Sequence, residues 1–258
     1  ICENDGMTML DTILQVTNLS KSFSGVKALE DVQLSLKKGE VHALMGENGA
    51  GKSTLMKILV GLLQPDSGTI QFDGSEMKHK NASQTLKSGI SMIHQEILMI
   101  PELTIAQNIF LGREKEISGS KWGWLNDHLI NEKAHALLEK MGLHIPVTTP
   151  MKQLSVAQMQ MIEIAKAISN DAKIIIMDEP TSAISDKEVR VLFNIIKELK
   201  SKGVSIIYIS HKMEEIYEIA DTITVLRDGK HIATKPVAEL DMNELISLMV
   251  GREIEQLF

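Results

Sequence analysis

The sequence predicts an α/β fold, with a largely parallel β-sheet and helices on both of its faces. Along most of the 258 residues, short apolar runs of strand type alternate with segments of helical periodicity, which is the pattern of such a sheet. A glycine-rich segment, GENGAGKST, lies directly between a strand-like run and a helix-like run. We expect strands at residues 13–19, 32–36, 41–45, 69–72, 89–93, 173–177, 204–209 and 222–226.

The glycine-rich segment matches the P-loop pattern GxxxxGK[ST]. Its glycines let the backbone direct amide N–H groups towards phosphates, Lys52 can reach the β- and γ-phosphates, and Ser53 offers a hydroxyl to Mg²⁺. The flanking runs VHALM and STLMKILV give the order strand, loop, helix that this chemistry needs. We therefore predict a nucleoside triphosphate bound by Gly46, Glu47, Asn48, Gly49, Ala50, Gly51, Lys52, Ser53 and Thr54.

This motif predicts that the parallel sheet is the core of a P-loop NTPase of the RecA-like type. The rest of the chain predicts two subdomains in addition to this core. Turn signals such as KKGE and FDG join the early strands without helices, which predicts an antiparallel β subdomain. From Pro101 to Ala167 the pattern is helical, which predicts an inserted helical subdomain. We expect one nucleotide-binding domain over residues 1–258. Residues 10–96 and 168–258 would form its core together with the β subdomain, and residues 97–167 would form the helical subdomain.

Composition excludes several classes of protein. A net charge of −7 without a basic stretch argues against a protein that coats nucleic acid. A single cysteine, Cys2, excludes a disulfide framework and a CxxC metal site. No apolar run approaches the roughly 20 residues that span a bilayer, so we expect the chain by itself to be soluble and cytoplasmic.

Two adjacent carboxylates follow the apolar strand pattern KIIIM at residues 173–177. P-loop enzymes hold Mg²⁺ with an Asp in this position, and Asp178 fits that role. Glu179, one residue further on, could accept a proton from the water that attacks the γ-phosphate, or orient that water. Such a pair alone is more often a solvated turn, and the P-loop in the same chain reverses that weighting.

Three further side chains gain meaning beside these motifs. Gln95 follows the apolar run SMIH and could reach Mg²⁺ or the γ-phosphate. His211 ends the strand-like run SIIYIS and could hydrogen-bond the γ-phosphate or the attacking water. Phe23, in KSFSG, could stack on an adenine ring, although a lone aromatic residue is more often part of a core.

The segment LSVAQ opens a helical pattern that runs from Ser155 to Ser169. Ser155 is a suitable N-cap, so the free N–H groups and the positive dipole end of this helix should face an anion. The P-loop of this chain is already complete. We therefore expect Ser155 to meet the nucleotide bound by another subunit or cassette.

Together these motifs resemble ATP-binding cassette (ABC) ATPases, and the resemblance covers nearly the whole chain. GENGAGKST resembles the Walker A motif, Gln95 the Q-loop, LSVAQ the signature, IIIMDE the Walker B motif, TSAISD the D-loop region and His211 the switch histidine, all in the family's order. The segments MIHQEILMIPELTIAQNIFLGRE and SIIYISHKMEEI resemble the branch that energises uptake of ribose, galactose and other monosaccharides. The tail from Met249 to Phe258 resembles the junction of a tandem ATPase, which indicates an N-terminal half.

The resemblance implies a division of labour across a complex. Two cassettes would face each other head to tail, each ATP lying between the Walker A motif of one and the signature of the other. Closure and hydrolysis would drive a membrane permease docked on the helical block, at the cytoplasmic face of the membrane. A solute-binding protein and the permease would recognise the sugar. In this scheme Phe23 would stack on the adenine, and Lys52 and His211 would contact phosphate. The ligands of Mg²⁺ would be Ser53, Gln95 and Asp178. Glu179 would be the catalytic base.

Two motifs depart from the family's pattern, and two other functions remain open. Val156 and Ala157 stand where most ABC proteins have glycines, and Ser185 stands where an Asp is common, followed by Asp186. One alternative is a non-transport ABC ATPase that acts on the ribosome, which should carry basic arms for RNA. The other is a regulatory module that binds nucleotide without hydrolysing it, which should lack the base, whereas Glu179 is present.

Overall fold

The computed structural model describes residues 11–77, 81–93, 99–114, 117 and 126–251. The strands in this part of the chain are β1 (Thr12–Phe23), β2 (Val26–Lys37), β3 (Val41–Met45), β4 (Ser67–Phe72), β5 (Ser75–Glu76), β6 (Ile90–Ile93), β7 (Ile174–Asp178), β8 (Ser205–Ile209), β9 (Thr222–Arg227) and β10 (Lys230–Pro236). The helices are α1 (Lys52–Leu59), α2 (Ala82–Ser88), α3 (Ile105–Ile109), α4 (Asp127–Lys140), α5 (Val156–Ile168), α6 (Asp186–Ser201), α7 (Met213–Ile219) and α8 (Met242–Val250). Short 3-10 helices lie at Met151–Gln153 and Val237–Glu239.

Five strands form the parallel core that the sequence predicts. They pair in the order β9, β3, β8, β7, β6, and every pair among them is parallel. Their apolar side chains alternate between the two faces because successive residues of a strand point to opposite sides. In β7, for example, Ile174 packs in the cluster that contains α1, and Ile175 packs in the cluster that contains α5 and α6. The expected helix coverage of both faces is confirmed.

The antiparallel strands lie at the other end of the same sheet. β1 pairs with β2 and with β4, and β10 joins this part to the parallel core because it pairs with both β2 and β9. β1 and β2 extend beyond their predicted bounds and meet at Ser24 and Gly25, both with positive φ (46° and 86°). Such a two-residue turn matches the twist of a hairpin. The expected antiparallel sheet beside the core is confirmed.

The helical block lies on one face of the parallel core. Side chains of α3, α4 and α5, including Ile105, Ile130 and Ile162, belong to the same hydrophobic cluster as Ile175 of β7 and Ile206 of β8. We propose from this shared cluster that residues 97–167 form a helical subdomain within one domain over residues 1–258.

Candidate nucleotide-binding site

The loop between β3 and α1 has the backbone that a P-loop needs. Gly51 caps α1 with φ 99°, and a Cβ there would lie 2.6 Å from Leu29 Cδ2 and 2.8 Å from the Ala28 carbonyl oxygen. At Gly46 a Cβ would lie 2.3 Å from the carbonyl oxygen of Leu226. These glycines therefore also allow the loop to pack against β2 and β9, a requirement that the motif alone does not reveal. This packing holds the loop in place before any ligand binds.

Lys52 bends back over the loop from the first turn of α1. Its Nζ donates to the carbonyl oxygens of Gly46 at 2.6 Å and Glu47 at 3.0 Å. Burial lowers the pKa of Lys52, and the negative charges of Glu179 and Asp178 oppose this shift. A partly desolvated ammonium on the loop that precedes a helix N-terminus is a suitable partner for a phosphate.

Glu179 follows β7 in an unusual backbone conformation. Its φ is 51°, in the left-handed region, which costs a non-glycine residue about 1–2 kcal/mol. Two backbone bonds stabilise this turn, because the Glu179 N–H donates to Ile209 O at 2.9 Å and the Ser182 N–H donates to Glu179 O at 3.2 Å. Strained positions of this kind are concentrated at functional sites.

His211 contacts the same carboxylate from the end of β8. Its Nδ1 lies 2.8 Å from Glu179 Oε2, while the His211 side chain is 74% exposed and the Glu179 side chain 17% exposed. The histidine can therefore turn towards a ligand without leaving a packed position. The structure thus places side by side two residues that are 32 positions apart in the sequence.

These elements line one cleft of about 430 Å³. The carboxyl ends of the parallel strands β3, β7 and β8 meet at the same edge of the sheet, where α/β proteins bind ligands. The sequence-predicted residues that line the cleft are Gly46, Asn48, Gly49, Ala50, Gly51, Lys52, Ser53, Thr54, Asp178, Glu179 and His211. Glu47 takes part through its carbonyl oxygen, which accepts from Lys52.

Three predicted site residues are placed differently. Gln95 lies outside the described residues. Phe23 lies at the β1–β2 turn, 44% exposed, with Lys21 Nζ 5.7 Å from its ring centroid, and among the described residues it is not part of the cleft lining. Ser155 caps α5 and is exposed, also away from this lining.

The N-terminus of α5 carries a capping box. Ser155 Oγ accepts from the Gln158 N–H at 3.2 Å, and Gln158 Oε1 accepts from the Ser155 N–H at 2.9 Å. The predicted N-cap is confirmed. Val156, the next residue, is 52% exposed, so the start of α5 is accessible to a partner.

Sequence reasoning missed several residues at the cleft. Ala28, Ser182, Ile209 and Ser210 also line it. Behind it, the buried Glu215 accepts from the hydroxyls of Thr181 and Ser210. Small hydroxyl residues carry no pattern of their own. The sequence around Glu215 could have indicated its role. Glu215 lies beside Ile216 on the apolar face of a helix, and a carboxylate buried there needs a hydrogen-bonding or charged partner.

The donor set fits Mg²⁺ and a triphosphate. The Ser53 hydroxyl on the first turn of α1 and the Asp178 carboxylate at the end of β7 line the same cleft, and both supply the hard oxygen ligands that Mg²⁺ prefers. The loop amides and Lys52 supply the donors and the positive charge that phosphates require.

The fold and this cleft define a P-loop ATP-binding cassette. The ABC transporter family model matches residues 29–182. The chain belongs to the ABC transporter family. It resembles the ADP conformation of an ATP-binding cassette of an ABC transporter, with a TM-score of 0.80 and 28% identity over 95% of this chain and all of that one.

Two curated relatives are closer in sequence. The galactose/methyl galactoside import ATP-binding protein of Photobacterium profundum is 52% identical over 97% of this chain and 50% of its own length. The ribose import ATP-binding protein of Halalkalibacterium halodurans is 48% identical over 95% of this chain and 49% of its own length. The chain thus spans about half the length of the curated relatives it matches. In the described part of the chain, no helix combines the length and the apolar character of a membrane span.

Proposed function

We propose that the chain is the ATP-binding and ATP-hydrolysing cassette of a transporter that imports a monosaccharide through a membrane permease. One observation carries the ATPase assignment: a single cleft brings together the P-loop, Lys52, Asp178, Glu179 and His211. The sugar class rests on relatives named for ribose and galactose import, about 50% identical to this chain.

In this proposal ATP displaces the present contacts of Lys52. The Nζ leaves the carbonyl oxygens of Gly46 and Glu47 and binds β- and γ-phosphate oxygens, while the loop amides hold the same phosphates. Ser53 and Asp178 would hold Mg²⁺, together with Gln95. Bound Mg²⁺ neutralises charge on the β- and γ-phosphates. The adenine would stack on Phe23, which is exposed at the β1–β2 turn.

Glu179 supplies the proton acceptor for hydrolysis. Its carboxylate orients the attacking water and accepts a proton from it as the oxygen bonds to the γ-phosphorus and the bond to ADP breaks. His211, now 2.8 Å from Glu179 Oε2, would hold the water or the γ-phosphate in line. This contact keeps both side chains at the mouth of the cleft until the substrate arrives.

A second cassette completes each site. Ser155 and Val156 are exposed and lie away from this chain's own cleft lining. The capping box uses the N–H groups of Ser155 and Gln158, which leaves those of Val156 and Ala157 for the nucleotide of a partner. The partner is the C-terminal half of a tandem protein or another copy. No nucleic acid takes part.

The permease would dock on the helical block, at the cytoplasmic face of the membrane. A groove of about 710 Å³ runs between α2 and the C-terminal ends of α3 and α5. It is lined by basic residues such as Arg113 and Lys166 and by the exposed Leu86 and Leu111. A solute-binding protein would deliver the sugar to the permease.

Two variants test the proposal in the complete transporter. Lys52→Ala should abolish nucleotide binding and turnover, because it removes the phosphate cation. Glu179→Gln should bind ATP as wild type does and lose turnover by about 10²–10⁴-fold, because an amide cannot accept the proton. Binding is measured with a fluorescent ATP analogue and turnover by phosphate release.

Exposed residues supply the matched controls. Lys57→Ala on α1 and Glu214→Gln on α7 remove the same groups outside the cleft lining and should leave both measurements unchanged. Wild-type turnover in Glu179→Gln would remove Glu179 from the role of base. Binding without turnover in the unaltered transporter would support a non-hydrolytic module instead.

A further inference from the structure

A buried carboxylate that no step of hydrolysis uses lies directly behind the cleft. Glu215 is 7% exposed, on the face of α7 that also buries Ile216 and Ile219. Its Oε2 accepts from the hydroxyls of Thr181 at 2.9 Å, Tyr208 at 2.8 Å and Ser210 at 3.1 Å. Its Oε1 lies 3.1 Å from the Nζ of Lys212.

The partners of Glu215 come from the two segments that carry the proposed catalytic side chains. Thr181 lies two residues after Glu179, whereas Ser210 and Lys212 flank His211. Lys212 also spans the two segments directly, since its Nζ lies 3.3 Å from Thr181 Oγ1 and 3.4 Å from Thr181 O. One carboxylate thus holds the segment after β7 and the segment after β8 together.

The chemistry of this cluster makes the connection stiff. Every hydroxyl that leaves Glu215 becomes a buried donor without an acceptor, and hydrogen bonds to a charged group are stronger than neutral ones. Burial, reinforced by the charge of Glu215, raises the pKa of Tyr208, so the phenol stays a donor. Separation of the two segments would therefore break several bonds of the cluster at once.

We propose that Glu215 is a positioning residue that couples the segment of Glu179 to the segment of His211. The proposal rests on the proposed roles of those two residues in hydrolysis. When one segment moves, through a contact with nucleotide or with the facing cassette, the other moves with it. The spacing between base and histidine is thereby kept during closure.

The competing explanation is that Glu215 only satisfies buried hydroxyls. The structure offers a matched pair that separates the two. Thr181→Val and Tyr208→Phe each remove one hydroxyl that donates to the same oxygen, at nearly the same distance. Of these two bonds to Glu215, the one from Thr181 joins the two segments, whereas the one from Tyr208 does not, because Tyr208 and Glu215 belong to consecutive elements, β8 and α7.

The experiment measures kcat, KM for ATP and thermal stability for both variants in the complete transporter. Coupling predicts that Thr181→Val lowers kcat about tenfold or more, since misplaced catalytic groups lose large factors in rate, while KM stays within about twofold. Tyr208→Phe should lose a similar amount of thermal stability and keep kcat near the wild-type value. Thr181→Ser, which keeps the hydroxyl, should restore kcat. Glu215→Ala is less suitable because it leaves three buried donors unpaired and endangers folding.

Equal losses of kcat in Thr181→Val and Tyr208→Phe, or no loss in either, would overturn the coupling. Glu179→Gln in the same assay separates this failure from failure of the proposed function. If Glu179→Gln is inactive and the matched pair behaves alike, only the role of Glu215 is wrong. If Glu179→Gln turns over ATP as wild type does, the assignment of the base itself fails.

Discussion

The two proposed catalytic side chains owe their positions to features of single residues. Glu179 adopts a left-handed φ of 51°, which turns the chain sharply after β7 and places its carboxylate beside His211. A glycine would adopt this backbone more easily and would remove the base. The hydrogen bonds of the turn and the contact with His211 offset the conformational cost.

Glu40 provides a residue-scale prediction about stability. Its carboxylate is 7% exposed, accepts from the Lys37 N–H at 2.6 Å, and has His42 Nδ1 3.4 Å from Oε1. Burial acts to raise the pKa of Glu40, but the contacts with His42, Thr222 and Lys37 outweigh it and lower the pKa below 4.5. The folded state therefore binds this proton less readily than the unfolded state does.

The sign of the pH dependence follows. A carboxylate whose pKa is lower in the folded state stabilises the protein fully at pH values above its pKa in the unfolded state. This stabilisation is lost as the pH falls through its pKa in the folded state. Glu40→Gln should lower the free energy of unfolding by about 1.5–3 kcal/mol at pH 7, the range for hydrogen bonds to a charged group. The difference from wild type should shrink below pH 4.5.

Urea denaturation between pH 3.5 and pH 7 checks this expectation. The exposed Glu214→Gln serves as control and should show little difference from wild type at any pH. A difference between Glu40→Gln and wild type that stays constant or grows as pH falls would contradict the assigned role of the carboxylate.

At the scale of elements, the motif-bearing strands were the easiest to predict. The sequence predicts β3 at its observed bounds, and β7 and β8 within one residue of theirs at each end, because buried parallel strands are short continuous apolar runs. β10 was missed because its sequence, KHIATKP, is largely polar and ends in proline. The joining of Glu179 with His211, and the Thr181–Glu215–Ser210 cluster, depend on tertiary packing, which sequence spacing does not encode.

Helix α5 allows its stability and its proposed function to be separated. Ser155→Ala removes the N-cap and should destabilise the protein by about 1 kcal/mol. Ser155→Asp keeps a good cap, and its charge suits the helix N-terminus, so thermal stability should stay near wild type. The same carboxylate would face the partner's phosphates and should suppress ATP turnover.

Thermal unfolding and phosphate release, measured on both variants in the complete transporter, check this prediction. Ser155→Thr, which also caps helices, is the uncharged comparison. Full turnover in Ser155→Asp would show that the N-terminus of α5 does not approach a nucleotide.

At the scale of the whole molecule, each half of the proposed active site lies on a different surface. The Walker motifs line the cleft at the carboxyl ends of β3, β7 and β8, whereas Ser155 lies away from that lining. A symmetric pair arranged head to tail therefore contains two composite sites, each with one P-loop and one α5 terminus. In the proposed arrangement, binding of ATP would require one chain and hydrolysis would require two.

Mixing two inactive variants of this chain tests the composite site. A pair of Ser155→Asp chains has a charged signature in both sites, and a pair of Glu179→Gln chains lacks the base in both. A mixed pair contains one intact site, because the Ser155→Asp chain supplies an unaltered P-loop and Glu179 while the Glu179→Gln chain supplies an unaltered Ser155. Equal amounts of the two variants, allowed to associate at random before ATP is added, should restore about a quarter of the wild-type rate. The reason is that half of the pairs are mixed, and each mixed pair has one intact site out of two.

The rate for unmixed wild type should rise faster than linearly with protein concentration. Complementary variants that stay inactive when mixed, together with a strictly linear wild-type rate, would show that each chain hydrolyses ATP alone.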